Sequence, residues 1–466
     1  MERMSAQLVQ MIVSIVLARI LSPSDYGAVA MVSIFVVFAN VIIDGGFSSA
    51  LIQKKDADDK DFSTVLYFSI FCSVLLYAVL YLVAPCISSF YGEDYEILTP
   101  VLRVLGIQVV IFAINSVQQA YVQKQMMFRN FFWATLVGTV CSAVVGLSMA
   151  YLGYGIWSIV YQQLTATIVN TFTLYAITRK GPTLEFSFSR LRSLFAYGVK
   201  LLGANVLITG YQEIRALIIG KVYAAQDLAY FDRGKQFPSL VVTNINSSIG
   251  AVLFPKMANE QDDTEQIRQT TRQSIRFCSY LMSPLMLGLA AVSEPFVRLV
   301  LTEKWLGCVS LMQWFCVVFL FMPIHTANMQ ALKAIGRSDT CLNLEIVKKL
   351  IEMLALLAVV WISVEAIVIN MAILSALFTI INAYPNRKLL CYSYKEQFMD
   401  ICPSLLMGGC VFAAILLFNH YVVWADAYTL FADAVIGGLV YVCLSFLTRN
   451  REFGYMLSLL KRYHEK

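Results

Sequence analysis

The chain has 466 residues, of which 59% are hydrophobic and 14% are charged, and its formal net charge is +5. Soluble proteins carry about 25% charged residues, so this composition excludes a soluble globular protein. The basic residues are spread over short segments between apolar runs, which excludes the single basic patch of a nucleic-acid-binding protein.

Apolar segments follow one another along the whole chain. A helix needs roughly 20 apolar residues to cross a bilayer. The first segment is short, and "SPSDYG" follows it where a signal peptide would have a small-residue cleavage site, so we expect a span there. The sequence predicts an all-α polytopic membrane protein with about 14 transmembrane helices, centred on residues 4–21, 28–51, 64–84, 98–122, 131–152, 155–178, 196–219, 237–256, 276–301, 308–332, 341–362, 364–384, 401–419 and 428–447.

The basic residues favour one side of the membrane. Alternate loops form two sets, and one set contains most of the lysines and arginines, with the segments 54–60, 124–129, 179–192, 256–276, 333–337, 387–395 and 449–466. The other set contains Lys221, Arg233, Lys235 and Lys304. The positive-inside rule therefore predicts that the first set and both termini are cytoplasmic.

Metal or cofactor chemistry has little support in the sequence. The 11 cysteines are scattered without a C-x-x-C pair, and there are three histidines. No G-x-x-x-x-G-K-[ST] motif for ATP is present. We expect no metal site, no cofactor and no catalytic residues.

A weak internal repeat divides the chain. "QQAYVQK", ending at Lys124, resembles "NMQALKA", in which Lys333 matches Lys124 at an offset of 209 residues. The repeat indicates that spans one to six and spans seven to twelve are two lobes of the same topology. Because each lobe has an even number of spans, the two lobes would be related by a pseudo-two-fold axis along the membrane normal. We predict an N-lobe at 1–180, an amphipathic cytoplasmic linker at 181–195, a C-lobe at 196–390, and two further spans with a cytoplasmic tail at 391–466.

Polar side chains recur at helical spacing inside several spans. Residues three, four or seven apart share one helix face, as expected for the wall of a wet cavity. Packing through interhelical hydrogen bonds is the alternative for each single residue. The candidates on these stripes are Asn40, Asp44 and Ser48; Gln108, Asn115 and Gln119; Gln163; Asn205 and Gln212; Asn244; and His325 and Asn328.

Ionisable residues within the spans are more selective candidates, because a charged group at the bilayer centre costs about 2.5–3.5 kcal/mol or more. Asp44, Glu213 and Arg215 lie within predicted spans, and Arg103 and Lys200 lie nearer span ends. For Asp44, a cavity role and a buried structural partner both remain open. Lys348 belongs to the group "EIVKKLIE", in which we predict neutralising i,i+4 pairs of Glu345 with Lys349 and of Lys348 with Glu352.

Five stretches carry a family resemblance. They are "LARILSPSDYGAVAM" (17–31), "GGFSSALIQKKD" (45–56), "YFDRGKQFP" (230–238), "LFPKMA" (253–258) and "SEPFVRLVLTEKW" (293–305). The chain resembles the polysaccharide transporter family, the oligosaccharide flippases of the multidrug/oligosaccharidyl-lipid/polysaccharide (MOP) exporter superfamily. The similarity is greatest to proteins of the Wzx type and the teichuronic-acid type.

The resemblance implies a flippase that moves polyprenyl-diphosphate-linked oligosaccharide units across the bacterial inner membrane for surface polysaccharide synthesis. Its implied partners are membrane lipid and the polysaccharide polymerase machinery. Amides would bind the sugars, and the diphosphate would need cations, for which Arg103, Lys200, Arg215 and Lys348 are the candidates. Asp44 and Glu213 are the candidates for coupling to an ion, H+ or Na+.

Two other functions remain open. A cation-coupled multidrug antiporter of the same fold would use acidic residues and gain little from buried lysine or arginine. A membrane-embedded glycan polymerase or glycosyltransferase would be an enzyme, and such enzymes need a larger outward loop or domain than this sequence provides.

Overall fold

The computed structural model describes residues 2–54, 56–179, 181, 183, 185–259, 263–422, 424–454 and 456. In these ranges the chain forms α-helices and two short 3-10 helices (Glu93–Tyr95 and Glu303–Cys308) and no β-strand. The predicted all-α fold class is confirmed. The α-helices are α1 Glu2–Ile20, α2 Pro23–Asp44, α3 Phe47–Gln53, α4 Asp59–Tyr91, α5 Leu98–Leu105, α6 Ile107–Lys124, α7 Phe128–Tyr151, α8 Ile156–Thr178, α9 Phe188–Val222, α10 Ala225–Asn259, α11 Thr264–Ala291, α12 Ser293–Val300, α13 Val309–Leu320, α14 Met322–Ala334, α15 Ser338–Val359, α16 Val364–Leu389, α17 Tyr394–Tyr421 and α18 Asp426–Leu447.

Helices of membrane-spanning length confirm a multi-pass membrane protein. In the described part of the chain, nine segments are long and apolar enough to cross a bilayer. The predicted spans at 4–21, 155–178, 196–219, 237–256 and 341–362 lie on the helices α1, α8, α9, α10 and α15, which are not among those nine segments. The number fourteen therefore stays a prediction.

Three segments that the sequence suggested as loops are largely helical. Helix α9 begins at Phe188 inside the predicted linker, α10 begins at Ala225 inside a predicted outward loop, and α11 begins at Thr264 inside a predicted inward segment. On α11 the charged residues Glu265, Arg268, Arg272 and Arg276 recur every three or four positions, which leaves the other helix face free to pack. On α11, for example, Ile267 and Ile275 are fully buried.

Short polar motifs start several of these helices. In a capping box, the side chain of the N-cap residue accepts a hydrogen bond from the backbone N–H three residues later. The side chain of that later residue accepts a hydrogen bond from the backbone N–H of the N-cap residue. Such caps contribute about 0.5–2 kcal/mol each. The structure has them at α2, α4 and α17, in the pairs Ser22–Asp25, Asp58–Asp61 and Ser393–Glu396.

The chain divides into two compact units, Met1–Ala229 and Tyr230–Lys466. Several elements recur at a similar offset in the two units: a 3-10 helix begins at Glu93 in the first unit and another begins at Glu303, 210 residues later, in the second. Helices α7 and α15 begin 210 residues apart, and α8 and α16 begin 208 residues apart. These offsets match the internal repeat. The division falls within α10 and groups α9 with the first unit, so the predicted lobes at 1–180 and 196–390 and the C-terminal part at 391–466 stay predictions.

Each unit has its own apolar core. In the first, α7 packs on α8 and α1, α6 packs on α4 and α8, and α9 packs on α2, α3 and α4. In the second, α11 packs on α17, α13 and α14, and α18 packs on α17 and α12. Edge-to-face contacts between aromatic rings contribute to the second core, where the ring centres of Phe231 and Phe315 are 5.2 Å apart. Some of the polar side chains considered next lie within these helix contacts, and others are exposed.

Candidate functional site

Asp44 is the last residue of α2, at a sharp break before α3. Gly45 and Gly46 adopt φ of 50° and 71°, a left-handed conformation that glycine adopts without steric cost. This break places Ser48, in the first turn of α3, against Asp44, and its hydroxyl donates to Asp44 Oδ1. The carboxylate is half-buried. It therefore has one local partner and is still reachable by solvent.

Asn40 lies one turn before Asp44 on α2. Its side-chain oxygen Oδ1 is buried and has no hydrogen-bond partner among the described residues. A buried carbonyl oxygen without a donor loses the free energy of hydration and regains none of it. Asn40 therefore presents an acceptor that a hydroxyl group could satisfy.

The stripes predicted on spans four and six face one another. Asn115 of α6 donates to Asn170 Oδ1 and Thr171 Oγ1 of α8, each at 2.8 Å. Gln119 donates to Asn115, and Gln108 donates to Thr167 at 2.9 Å. Asn115 is 4% exposed. The packing alternative therefore describes Asn115 well, while Gln163 lies half-buried on the same face of α8.

Helix α9 carries the most accessible of the predicted polar residues. Asn205 and Gln212, two turns apart, are both exposed. Arg215 is half-buried, lies with its guanidinium 5.2 Å from the centre of the Tyr211 ring, and donates to the Tyr211 hydroxyl at 2.8 Å. Glu213 is half-buried. The side chain of Lys200 lies outside the part of the chain that the structure describes.

Arg103, at the end of α5, contacts an aromatic ring. Its guanidinium is 4.3 Å from the centre of the Tyr81 ring, and its Nε donates to the Tyr81 carbonyl oxygen at 3.3 Å. Among the described residues, no carboxylate forms an ion pair with it, and a cation–π contact does not neutralise the charge. Arg103 is thus a cation that an anionic group could pair with.

In the second unit, a chain of buried amides joins α14, α16 and α17. Asn386 donates to Asn328 Oδ1 at 2.7 Å, and Asn328 donates to Gln397 Oε1 at 3.3 Å. One turn away, the His325 ring nitrogen Nδ1 lies 2.8 Å from the amide nitrogen of Asn382. Asn328 is fully buried. His325 and Asn328 are therefore engaged with protein groups in this structure.

Asn244 and Lys348, the other candidates in this unit, have partners on their own helices. Asn244 is half-buried on α10 and donates to the Leu240 carbonyl oxygen at 2.9 Å. Lys348 is paired with Glu345, and Lys349 with Glu352. The predicted i,i+4 pairs Glu345–Lys349 and Lys348–Glu352 were therefore wrong. Each lysine pairs instead three residues away, because i,i+3 neighbours also share a helix face.

An arginine–carboxylate cluster between α11 and α17 was missed by sequence analysis. Arg272 Nε lies 2.9 Å from Asp400 Oδ2, and Arg276 contacts the other carboxylate oxygen. Tyr392 donates its hydroxyl to Asp400 at 2.8 Å, and Arg268 lies 2.6 Å from Glu396. The i,i+4 spacing of the three arginines was the available signal, since it predicts a helix with one basic face.

A matching charged cluster lies in the first unit, on the side predicted to be cytoplasmic. Asp61 is fully buried at the start of α4, and Lys54 Nζ lies 2.6 Å from its Oδ2. Arg190 of α9 pairs with Asp58 and lies 3.4 Å from Asp61 Oδ1. The hydrogen bond from Arg190 lowers the pKa of Asp58 to about 2. These clusters tie α9 to α4 and α17 to α11 within their own units.

Metal ligation finds no support in the geometry. Within the described ranges, no group of three or more His, Cys, Asp or Glu side chains is placed to hold a metal ion. The arrangement instead offers neutral amides, an orphaned carbonyl oxygen and a few cations, which suit the binding of hydroxyl-rich and anionic ligands.

A family model described as "Polysaccharide biosynthesis protein" matches residues 16–310. The chain belongs to this family. The teichuronic acid biosynthesis protein TuaB of Bacillus subtilis (strain 168) is 27% identical to this chain over 418 residues, which cover 88% of this chain and 85% of TuaB. The resemblance seen in the sequence is confirmed.

Solved structures place this member of the polysaccharide biosynthesis family in a known fold. The lipid II flippase MurJ superposes with a TM-score of 0.75 at 15% identity, covering 96% of this chain and 98% of MurJ. A multidrug resistance MATE transporter of the MOP superfamily superposes with a TM-score of 0.65 at 17% identity, covering 82% of this chain and 94% of the transporter. At these identities the likeness shows the MOP fold alone.

Proposed function

We propose that this protein translocates polyprenyl-diphosphate-linked oligosaccharide units across the bacterial inner membrane by alternating access, for the synthesis of a surface polysaccharide. The observation that carries the proposal is membership of the polysaccharide biosynthesis family, whose model matches residues 16–310 and so extends from the first unit into the second. The fold shared with a lipid II flippase supports it. In this proposal both termini are cytoplasmic and the lipid tail remains in the bilayer.

Within this proposal, we assign a role to each polar residue from the contacts that it already makes. Sugars present many hydroxyl groups, which exchange hydrogen bonds with amides. Asn40 has a buried carbonyl oxygen that needs a donor, and Asn205 and Gln212 are exposed on α9. These three amides are the sugar-binding candidates that we favour. Asn115, Gln119 and Asn328 are already engaged with other side chains, so we assign them to the walls that hold the site.

The diphosphate requires cations, and the candidates differ in what they already contact. Lys348 pairs with Glu345. Arg103 contacts a tyrosine ring and a backbone carbonyl oxygen, and Arg215 contacts the hydroxyl and ring of Tyr211. Guanidinium groups bind phosphate oxygens in bidentate fashion. We therefore assign diphosphate binding to Arg103 and Arg215 ahead of Lys348.

Coupling to an ion, H+ or Na+, would use a carboxylate that solvent can reach. Asp44 is half-buried and has Ser48 as its hydrogen-bond donor. Glu213 is half-buried on α9. A carboxylate between a hydrated and a buried environment can exchange a cation as the surroundings change.

The test is complementation of a strain that lacks the gene. Lipid-linked repeat units labelled in their sugars are allowed to accumulate, and the fraction reachable by an impermeant glycan-oxidising reagent added outside spheroplasts is measured. The parent protein is expected to restore outward appearance of the label, and Arg103→Ala to reduce its rate. Unchanged outward appearance in the strain without the gene would contradict the proposal.

A cation-coupled multidrug antiporter is the second candidate, because the fold is also that of a MATE transporter. Overexpression in a drug-sensitive strain separates the two functions. Resistance to cationic drugs without restored glycolipid translocation would favour the antiporter, whereas restored translocation without resistance favours the flippase. Polymerase machinery as a partner belongs to the flippase proposal, since the exported units need to be joined outside.

A further inference from the structure

A buried carboxyl group lies in the C-terminal helical hairpin, away from every residue assigned above. Asp433 is in the second turn of α18 and is 0% exposed. The hairpin brings it against Asn419, near the end of α17, and Asn419 Nδ2 donates to Asp433 Oδ2 at 3.0 Å. An aspartate at this position requires a partner or a means of losing its charge.

Two oxygens of this pair have no donor. Asp433 Oδ1 and Asn419 Oδ1 are both buried, and neither has a hydrogen-bond partner within the described residues. If the carboxyl group is ionised, it can only accept hydrogen bonds, and an amide carbonyl oxygen can do nothing else. The ionised pair therefore leaves two buried acceptors unsatisfied, which native structures rarely tolerate.

No cation on the neighbouring helices neutralises Asp433 in the described part of the chain. Helix α18 packs against α17, α12 and α11. On α12, Glu294 pairs with Arg298. The arginines of α11 pair with Glu396 and Asp400 of α17. The other titratable groups on these helices are Glu265, which pairs with Arg268, Tyr394 and Lys395 in the first turn of α17, the exposed His420 and Tyr421, the cysteines at 278, 402, 410 and 443, and Asp426, Tyr280, Tyr428 and Tyr441.

We propose that Asp433 is a proton-binding site, and that its neutral acid forms a reciprocal acid–amide pair with Asn419. The amide N–H donates to one carboxyl oxygen, and the acid O–H is the donor that the orphaned oxygens lack. Binding converts the carboxylate and one proton into the neutral acid, so α18 lies in the membrane without a net charge at this position. The paired side chains then join α17 to α18. This site does not depend on the flippase proposal.

A sodium ion is the competing ligand, because a small cation can also satisfy carboxylate and amide oxygens. The two ligands differ in what they leave behind. A proton produces a carboxylic acid with its own carbonyl stretching band, whereas sodium leaves a carboxylate and makes stability depend on sodium concentration.

Infrared difference spectroscopy on the purified full-length protein in lipid nanodiscs tests the proposal. At neutral pH the parent is expected to show the carbonyl band of a protonated carboxylic acid, and this band should disappear in Asp433→Asn. Asp426→Asn, which alters another aspartate of the same helix, is the control and should retain the band. No such band in the parent, or an unchanged band in Asp433→Asn, would overturn the proposal.

Two further measurements keep the test decisive. Asn419→Ala removes the amide, so the band should persist but shift in frequency; an unshifted band would show that the acid is not paired with Asn419. The melting temperature of the parent should be the same in sodium and in choline buffers of equal ionic strength. Stabilisation by sodium that is lost in Asp433→Asn would assign the site to that cation.

Discussion

Gly198 of α9 lies directly against the peptide of Gly45 at the end of α2, so that a Cβ on Gly198 would be 2.7 Å from the Gly45 carbonyl oxygen. Real Cβ atoms do not approach backbone this closely, and backbone has little freedom to move in a packed helix pair. The glycine thus allows α9 to pack beside the break that carries Asp44.

Replacing this glycine should destabilise the first unit. Gly198→Ala is expected to cost about 1–3 kcal/mol, because the methyl group forces the two helices apart. Gly203→Ala on the same helix is the matched control: its Cβ would meet nothing within 4 Å, so the better helix former should stabilise by about 0.5–1 kcal/mol. Melting temperatures in detergent compare the two, and equal effects would contradict the close approach.

The hydrogen-bonded seam between α6 and α8 predicts a second stability effect. Asn115→Ala removes the donor to Asn170 and Thr171 and the acceptor for Gln119. The expected loss is about 1–3 kcal/mol, because buried partners are left unsatisfied. Gln163→Ala, on the facing helix, should change stability by less than about 0.5 kcal/mol. Thermal unfolding checks both, and an Asn115→Ala protein as stable as the parent would show that the seam is dispensable.

The α11–α17 cluster predicts a larger effect. Asp400→Asn removes the carboxylate that Arg272 and Arg276 both contact. Breaking a buried pair from one side costs about 3–5 kcal/mol, because charge is left uncompensated. Glu265→Gln removes an exposed partner of Arg268 and should cost at most about 1 kcal/mol. The rate of limited proteolysis in the segments that join α11 to α17 measures how far the packing of these two helices is weakened. Similar proteolysis rates for the two variants would contradict the larger effect expected for Asp400→Asn.

The Asp58–Arg190 pair predicts a pH dependence. Its hydrogen bond from Arg190 holds the pKa of Asp58 at about 2, below the ordinary value of 3.8. A carboxyl group with a lowered pKa in the folded state adds stability that is fully present above its unfolded pKa. That stability is lost as the pH falls from about 4 towards about 2. Arg190→Gln should raise the pKa towards 3.8, as followed by carboxyl-carbon NMR; an unchanged titration would exclude the pairing.

Variants at Asp44 and Ser48 separate the effect of the negative charge of Asp44 from the effect of the hydrogen bond between the two side chains. Asp44→Asn keeps an acceptor for the Ser48 hydroxyl but removes the negative charge, so translocation should fall by about tenfold or more, which corresponds to about 1.4 kcal/mol. Ser48→Ala keeps the charge and removes the hydrogen bond, and it should retain most of the translocation rate. The reverse order of effects would assign Asp44 to a structural role.

Sequence reasoning reached the fold because hydropathy and helical spacing are local properties. The spacing of Gln108, Asn115 and Gln119 correctly placed them on one face, but it could not say that α8 covers that face. Asp400 and Arg272 are 128 residues apart in sequence, and nothing local joins them. The cap "SYKE", with Ser393 and Glu396 at i,i+3, was readable and would have placed the start of α17.

Outward appearance of lipid-linked oligosaccharide in spheroplasts tests the central claim most directly. The account predicts that a strain without the gene keeps its labelled glycolipid inside, that the parent gene restores its exposure at the outer leaflet, and that Arg103→Ala restores it more slowly at equal protein level. Normal exposure in the absence of the protein would contradict the claim that it moves this substrate.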